Sequence, residues 1–518
     1  MAQVALESLL EPGGVIALSV EPGFERDALF AGTMIGDILR GKVSRLGEQA
    51  GNHRLHLHVG SAAPAERTGS PCLHLRPGAE ARDSQIPLDA PWNTIPAVQI
   101  PGLRWAEGST QALTQEGDVW RLDANLPEVY GREALKHPTA DGNMRALLGS
   151  QLAMRSLLSQ VIVLDTGNAP ALSLITIDAE DQQRYFINSE GRCSNIRGTP
   201  DTDMQFANSC RTIMDRCESA GLKAVFMVTG DELDPSFVDA FGDPLTGRDD
   251  NLRVLGEMPA RGHDVAFHGY DHEWWISRGR SAITPMTFTQ KLRYFFETSG
   301  DLRTIFGLAR FLAVYGQRIL KARAATKARG ASVGQDFTDE EMRRDFDRWS
   351  ELTGHTGDQL FVRYPGYVRS AATLHHMDER YRLAVDSSDL YEPEWNLPAF
   401  AYRLFTERDG VLRRARVIEV PCIWIDKLLR TPDSRSVERS LEQLARLAAV
   451  PGSILCFITH TKVLGATWGH CHVYLHDPLK GMALPASRTA WESFARFLST
   501  RTRSANWRDL QQSLGAAA

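Results

Sequence analysis

From Ala171 onward the chain alternates between short apolar runs and amphipathic stretches. That alternation restricts the fold more than any other feature of its 518 residues. Leu172-Ser-Leu-Ile-Thr-Ile177 predicts a strand. Asp203 to Ala220 predicts a helix, with Met204, Ala207, Cys210, Ile213, Met214 and Cys217 at helical spacing and Gly221 as its stop. Lys223-Ala-Val-Phe-Met-Val228 predicts a second strand, and a helix carrying Leu252, Val254, Leu255 and Met258 follows. Strand, helix, strand, helix implies βα units on a parallel sheet. The chain is long for one domain, so two are expected, 1–165 and 166–518.

Composition excludes several classes. Hydrophobic content of 43% and charged content of 24% suit a globular protein with a substantial core. A net charge of −6 carries no overall basic excess, so no nucleic-acid partner is expected. The first residues lack a basic region, and Glu7 and Glu11 interrupt the apolar run, which argues against a secretory signal. No uncharged apolar run is long enough to span a membrane. Seven cysteines, odd in number and without a Cys-x-x-Cys pair, read as free thiols in a reducing compartment, so a cytoplasmic location is expected.

Residues 1–165 predict a smaller α/β accessory domain: a strand over Val15–Val20, a helix around Asp27 to Gly41, and a strand over Leu55-His-Leu-His-Val59. His56 and His58 fall on one face of that last strand, and a solvated face is the expectation. No constellation in this part carries chemistry.

The second part offers candidates in order. The first strand runs into Asp178-Ala-Glu-Asp181, and carboxylates at a strand's end cannot all be buried unpaired. On an extended backbone Asp178 and Glu180 point to one side, so one suits a base and the other a cation ligand. His268-Gly-Tyr-Asp-His272 places two imidazoles four residues apart, a spacing that brings both to one metal ion on a helical or tightly turned backbone. Thr338 and Glu341 form a possible capping box at the start of a helix. His263 is expected to pack on the sheet, and His375 and His376 to lie on a helix surface.

These motifs, with Phe361-Val-Arg-Tyr-Pro-Gly366, Tyr381-Arg-Leu-Ala-Val-Asp-Ser-Ser388, Val417-Ile-Glu-Val-Pro421 and Ile454-Leu-Cys-Phe-Ile-Thr-His460, resemble the polysaccharide deacetylase superfamily, also called carbohydrate esterase family 4 or the NodB-homology fold. The motifs stand in the family's order over about residues 171–510 and leave the first 165 residues uncovered. The resemblance implies a distorted (β/α) barrel with the reacting groups at the C-terminal ends of strands. It implies metal-dependent removal of an N-acetyl or other N-acyl group from an amino sugar. Residue by residue, it implies Asp178 as base, His268 and His272 as metal ligands, Arg363 orienting the base, His460 as general acid, and Asp386 or Asp389 keeping His460 protonated. The metal would be divalent, zinc by the nature of its ligands. Most members have two adjacent aspartates; here Ala179 follows Asp178, as in Asp-x-Glu-Asp relatives. Glu180 is then the expected third ligand, with Asp181 the runner-up. If neither reaches the metal, a metal-free cyclic-amide hydrolase or a non-catalytic glycan-binding or regulatory barrel is implied.

Between the histidine pair and Arg363 the chain is longer than a compact barrel needs. Trp274 to Gln335 holds eleven Lys and Arg against Glu297 and Asp301, 11 − 2 = +9, so the remainder carries −15. Leu302, Ile305, Phe306, Ala309, Leu312 and Ile319 share one helical face among Arg303, Arg310, Arg318, Lys321 and Arg323. Either a helical lid packed on the barrel or a basic amphipathic helix touching an anionic membrane or glycan fits that pattern.

Overall fold

The computed structural model describes residues 3–47, 53–123, 141–164, 170–179, 206–236, 248–272, 337–465 and 487–514, with short breaks inside some of these and a few short pieces besides. The expected basic helical insertion, Trp275 apart, lies outside the described residues, as do Glu180 and Asp181.

The protein is α/β, built on two largely parallel sheets. The first takes β1 (Ile16–Val20), β2 (Val43–Arg45), β3 (Leu55–Val59), β4 (Cys72–Leu75), β5 (Leu113–Glu116) and β6 (Val119–Leu122) in the order β2-β1-β3-β4-β6-β5. Only the β5–β6 pair is antiparallel. Helix α1 (Glu25–Leu39) connects β1 to β2, and α2 (Asp141–Val161) precedes the second sheet. Every residue of β3 is buried, which corrects the expected solvated face of His56 and His58. A central strand of a parallel sheet is covered on both sides, so its alternation of Leu and His does not mark an inside and an outside. Nearby backbone carbonyls and Ser19 bond their rings. His58 Nε2 donates to the Ala62 carbonyl at 3.0 Å, His74 Nε2 donates to that of Gly60 at 3.1 Å, and Ser19 Oγ lies 2.8 Å from both His56 Nε2 and His58 Nδ1. Burial lowers all three imidazoles, His56 to about 4.

The second sheet holds β7 (Leu172–Ala179), β8 (Ala224–Val228), β9 (Asp264–Phe267), β10 (Gln359–Val362), β11 (Leu383–Asp386), β12 (Tyr402–Arg408), β13 (Val411–Glu419), β14 (Cys422–Trp424) and β15 (Ile454–His460). Their order is β13-β11-β10-β9-β8-β7-β15-β14, with β12 antiparallel on β13 and the other pairs parallel. Short strands Gln3–Val4 and Arg503–Ser504 add to β13 and β7. Only Val420 and Pro421 separate β13, which pairs with β11, from β14, which pairs with β15. Around that break Val420 N donates to Asp386 O and Cys422 N to Asp389 O, both at 2.8 Å.

The expected βα pattern is observed: α3 (Phe206–Ser219) follows β7 and α4 (Arg248–Ala260) follows β8. Helix α5 (Asp339–Thr353) starts with Thr338 and Glu341 in the expected capping box and buries Met342, Phe346 and Trp349 on one face. Phe346 stacks on Phe267 with ring centroids 4.0 Å apart, just before His268. Removing that ring would cost roughly 3–5 kcal/mol by the usual large-to-small arithmetic. His263 packs on the sheet as expected, its Nδ1 accepting from Ala224 N at 3.0 Å. His376, on α6 (Ala371–Arg380), is buried against Phe346 and not on the helix surface. Among the described residues no helix is long and apolar enough to cross a membrane.

Candidate active site

Four of five consecutive strands in the sheet, β15, β7, β9 and β10, end in the groups that matter. Asp178 is the penultimate residue of β7 and stands in register with His460, the last of β15. His268 follows β9 directly, and its N–H donates to the Val228 carbonyl at the end of β8. Arg363 follows β10 directly, and its N–H donates to the Phe267 carbonyl at 3.0 Å. Parallel pairing therefore continues one residue past each strand and delivers these side chains to one end of the sheet. All are buried: Asp178 is 4% exposed, His268 1%, His272 5%, Arg363 0% and His460 3%.

Arg363 fills the space beneath. Its Nη1 donates to Asp178 Oδ1 at 2.8 Å, Nη2 to Thr176 Oγ1 at 2.7 Å, and Nε to Ser387 O at 2.8 Å. Burial is the largest single influence and works against the charged guanidinium, but the Asp178 charge together with the groups around it raises its pKa further. The second oxygen, Asp178 Oδ2, lies 3.7 Å from His268 Nε2 and 3.9 Å from His460 Nε2. His268 Nδ1 donates to the Arg363 carbonyl at 2.8 Å, so the neutral ring presents Nε2 toward Asp178. His272 lies beside it, with ring centroids 5.4 Å apart.

The loop between the histidines is gripped from both sides. Gly230 N donates to Gly269 O at 3.0 Å and Asp231 N to Tyr270 O at 2.8 Å. Tyr270 Oη donates to Asp234, which also accepts from Arg348 Nε at 2.6 Å. Gly269 has a φ of +80°, and a Cβ there would sit 2.9 Å from Pro365 Cγ, so both the turn and the approach of the arginine loop require glycine. Beyond His272, Trp275 Nε1 donates to Asp345 Oδ2 at 2.9 Å, and burial pushes that carboxyl up to about 7.

One expected partnership is replaced. His460 Nδ1 lies 2.7 Å from Asp426 Oδ2, and Thr459 Oγ1 donates to Asp426 Oδ1 at 2.6 Å. Burial would raise Asp426, but the charge and hydrogen bond of His460, with Arg430 nearby, hold it well below the usual carboxylate range. The carboxylate backing His460 is therefore Asp426, at the start of α7 (Asp426–Arg430), and not Asp386 or Asp389. Those two sit with Glu419 around Arg369. Arg369 Nη1 is 3.3 Å from Asp386 and donates to Glu419 at 3.0 Å, and its Nη2 bonds Asp389, which also accepts from Tyr402. The reason is register. The β11 strand ends one strand beyond Arg363, whereas β14 lies directly against β15 and carries Asp426 to the histidine. An acidic residue two positions past the end of β14 was the available sequence signal.

The donors suit a divalent metal in type, with His268 fixed in the ligating tautomer. Among the described residues no group of three or more His, Cys, Asp or Glu converges as a metal site. The two candidates for a third ligand, Glu180 and Asp181, lie outside the described residues.

No family model matches the chain, and neither does any curated protein. Solved structures do. A putative polysaccharide deacetylase from Mycobacterium smegmatis is 11% identical, with a TM-score of 0.33 over 68% of this chain and 92% of that one. A family 4 acetyl xylan esterase from Clostridium thermocellum, in complex with a cobalt ion, is 12% identical, with a TM-score of 0.19 over 42% and 58%. A family 4 pseudoenzyme from Bacillus anthracis is 9% identical, with a TM-score of 0.24 over 64% and 60%. The first is named for polysaccharide deacetylation, and the other two carry a family 4 name.

Proposed function

We propose that this chain is a metal-dependent hydrolase that removes an N-acetyl or other N-acyl group from an amino sugar in a glycan, a lipid-linked sugar or a glycan precursor. The division of labour on Asp178 carries the reading: one oxygen is held by Arg363, and the other faces both His268 and His460. A carboxylate kept ionised by a buried arginine can take a proton from the attacking water. His460, backed by Asp426, can deliver one to the departing amine, which is otherwise a poor leaving group. Asp426 accepts Nδ1–H and stabilises the charged ring, so the proton leaves from Nε2. His268, His272 and Glu180 or Asp181 would hold the metal, zinc by donor type, which supplies Lewis acidity to the acyl carbonyl and the water. Trp424, 39% exposed and 5.7 Å from the His460 ring, offers an aromatic face to a sugar.

Reading the second sheet as a distorted barrel rests on β13 and β14, one nearly continuous stretch that pairs with β11 before Pro421 and with β15 after it. Reading residues 1–165 as an accessory domain rests on their own six-stranded sheet. A cytoplasmic location is favoured by the buried thiols of Cys72, Cys210, Cys217, Cys422 and Cys456, which form no disulfide. Contact of the basic insertion with an anionic membrane or glycan remains a proposal from its charge. The second reading, a non-catalytic glycan-binding barrel, is favoured by Ala179 at the position where an adjacent carboxylate is usual.

The deciding experiment measures acetate release from N-acetylated glycans and lipid-linked sugars, before and after chelation, alongside bound metal. Release that chelator abolishes is expected. Metal bound without release from any substrate would establish the binding protein instead. Metal content unchanged in Glu180→Ala would exclude Glu180 as third ligand.

A further inference from the structure

The two histidines of the candidate site are held by different means. His268 is bonded to strand ends: its N–H donates to Val228 O at 3.1 Å, and its Nδ1 donates to Arg363 O at 2.8 Å. His272 stands four residues further on, beyond the left-handed turn at Gly269. It lies in a turn of helix that Trp275 N closes by donating to Asp271 O at 3.2 Å. Where that turn sits decides where the second imidazole sits.

Trp275 anchors the turn. Its ring is fully buried, stacks on Tyr364 with centroids 5.1 Å apart and packs on Phe337 at 4.2 Å. A Cβ on Gly269 would lie 3.1 Å from Trp275 Nε1, so the indole rests directly against the segment that joins the two histidines. An indole N–H is a donor only, and when buried it needs an acceptor. Asp345 Oδ2 supplies one at 2.9 Å.

Asp345 is the first of three contacts that α5 makes with this part of the chain. Three residues on, Arg348 Nε donates to Asp234 Oδ2 at 2.6 Å, and the same oxygen accepts from Tyr270 Oη at 2.8 Å. One residue further, Trp349 Nε1 donates to Val228 O at 3.0 Å, the carbonyl that also accepts from His268 N. A spacing of three and four residues puts all three on one side of a helix. Trp349 thus reaches His268, Arg348 reaches Tyr270, and Asp345 reaches the turn of His272. Packing alone does not call for an acid in that last place. Burying a carboxyl is costly, and an apolar side chain would fill the position without that cost. What the carboxyl adds is direction: a hydrogen bond fixes the orientation of the indole, and an apolar contact does not.

We propose that Asp345 is a positioning residue for His272, acting through the indole of Trp275. The inference rests on the metal-dependent reading above, in which His268 and His272 are ligands. A ligand pair must be held to within about 0.5 Å by the side chains behind it, and Asp345 sets the second histidine relative to the first.

The test is titration of the chelator-stripped full chain with Co²⁺, read by its visible absorption and its dissociation constant. Asp345→Leu removes the acceptor, and Trp275→Phe removes the donor while keeping an aromatic ring; if one of them fails to fold, the other decides. Each should weaken Co²⁺ binding about 10- to 100-fold, the usual worth of a group that orients a metal ligand, and change the visible spectrum. Both cut the same bond, so the double variant should lie within about twofold of the weaker single one. Asp345→Asn keeps an oxygen acceptor and should bind within about threefold of the parent. Leu29→Ala, in the core of the first half, controls for lost stability and should leave Co²⁺ binding unchanged. Thermal melts confirm that each variant is folded. A parent chain that binds no Co²⁺ would overturn this proposal together with the metal-dependent reading. With a parent that binds, three results would overturn the positioning role alone: Asp345→Leu binding equally well, Asp345→Asn binding no better than Asp345→Leu, or Leu29→Ala weakened to the same degree.

Discussion

Two buried arginines, six residues apart in sequence, solve different problems. Among the described residues Arg363 faces a single carboxylate, Asp178, and donates to its Oδ1. Arg369 faces three, Asp386, Asp389 and Glu419, and hydroxyls from Ser388 and Tyr402 take up further acceptor positions. Burial raises all three of those carboxyls, Asp389 to about 6, because one cation cannot balance three anions away from water. The first arrangement leaves an oxygen turned toward two histidines, where it can do chemistry. The second closes on itself and joins β11, β12 and β13. A buried arginine–carboxylate pair is therefore not in itself a mark of an active site; what distinguishes one is the oxygen that the arginine does not take.

The sharpest way to break this contrast is Asp178→Asn. Acetate release should fall by about 10²–10⁴, the usual worth of a positioned base. Because Asp178 is the carboxylate that Arg363 engages among the described residues, stability should fall as well. A variant with near-normal turnover would remove Asp178 from the mechanism. Next, Arg369→Met should cost roughly 3–5 kcal/mol in denaturant melts by stranding the three carboxylates; a loss below 1 kcal/mol would mean the cluster holds nothing together. Asp426→Asn should slow turnover about 10- to 100-fold, as changes to a second-layer partner commonly do, with little change in KM.

A smaller effect concerns pH and the first sheet. His56 is depressed from its ordinary value to about 4, chiefly by burial. The unfolded chain therefore takes up a proton at a pH where the folded one does not. Stability is full above about pH 6.5 and is lost as pH falls toward 4. Between pH 7.5 and 5 this should remove roughly 1–2 kcal/mol, and His56→Gln should flatten the dependence in denaturation curves. The smallest effect is expected of Asp386→Asn. It removes one of three carboxylates and should leave turnover and stability close to the parent, within about 1 kcal/mol. A 10-fold loss of turnover would instead return Asp386 to His460.

The sequence was most legible where chemistry coincides with a strand end. Asp178, His268, Arg363 and His460 each lie within two residues of the end of an apolar run, and parallel pairing alone gathers them. Asp426 escaped because its partner is 34 residues away across α8 (Ser434–Ala448), and only the pairing of β14 with β15 makes them neighbours. Asp386, which has the more suggestive motif, was drawn off by Arg369. Periodicity failed for β3 because an alternating pattern assumes one wet face, whereas parallel sheets cover both.

The position of β7 has a consequence for how the protein is made. It is the earliest of the β7–β15 strands in the chain, yet β15, which pairs along one edge, and Arg503–Ser504, which pairs with Leu172 and Ser173 on the other edge, are the last to be synthesised. Until residue 454 has left the ribosome, β7 has β8 on one edge and a bare apolar edge on the other, and Asp178 has no His460 beside it. A nascent chain arrested anywhere before that point would be a half-sheet with an adhesive margin. Its demand for chaperones should rise through most of translation and drop steeply near the end.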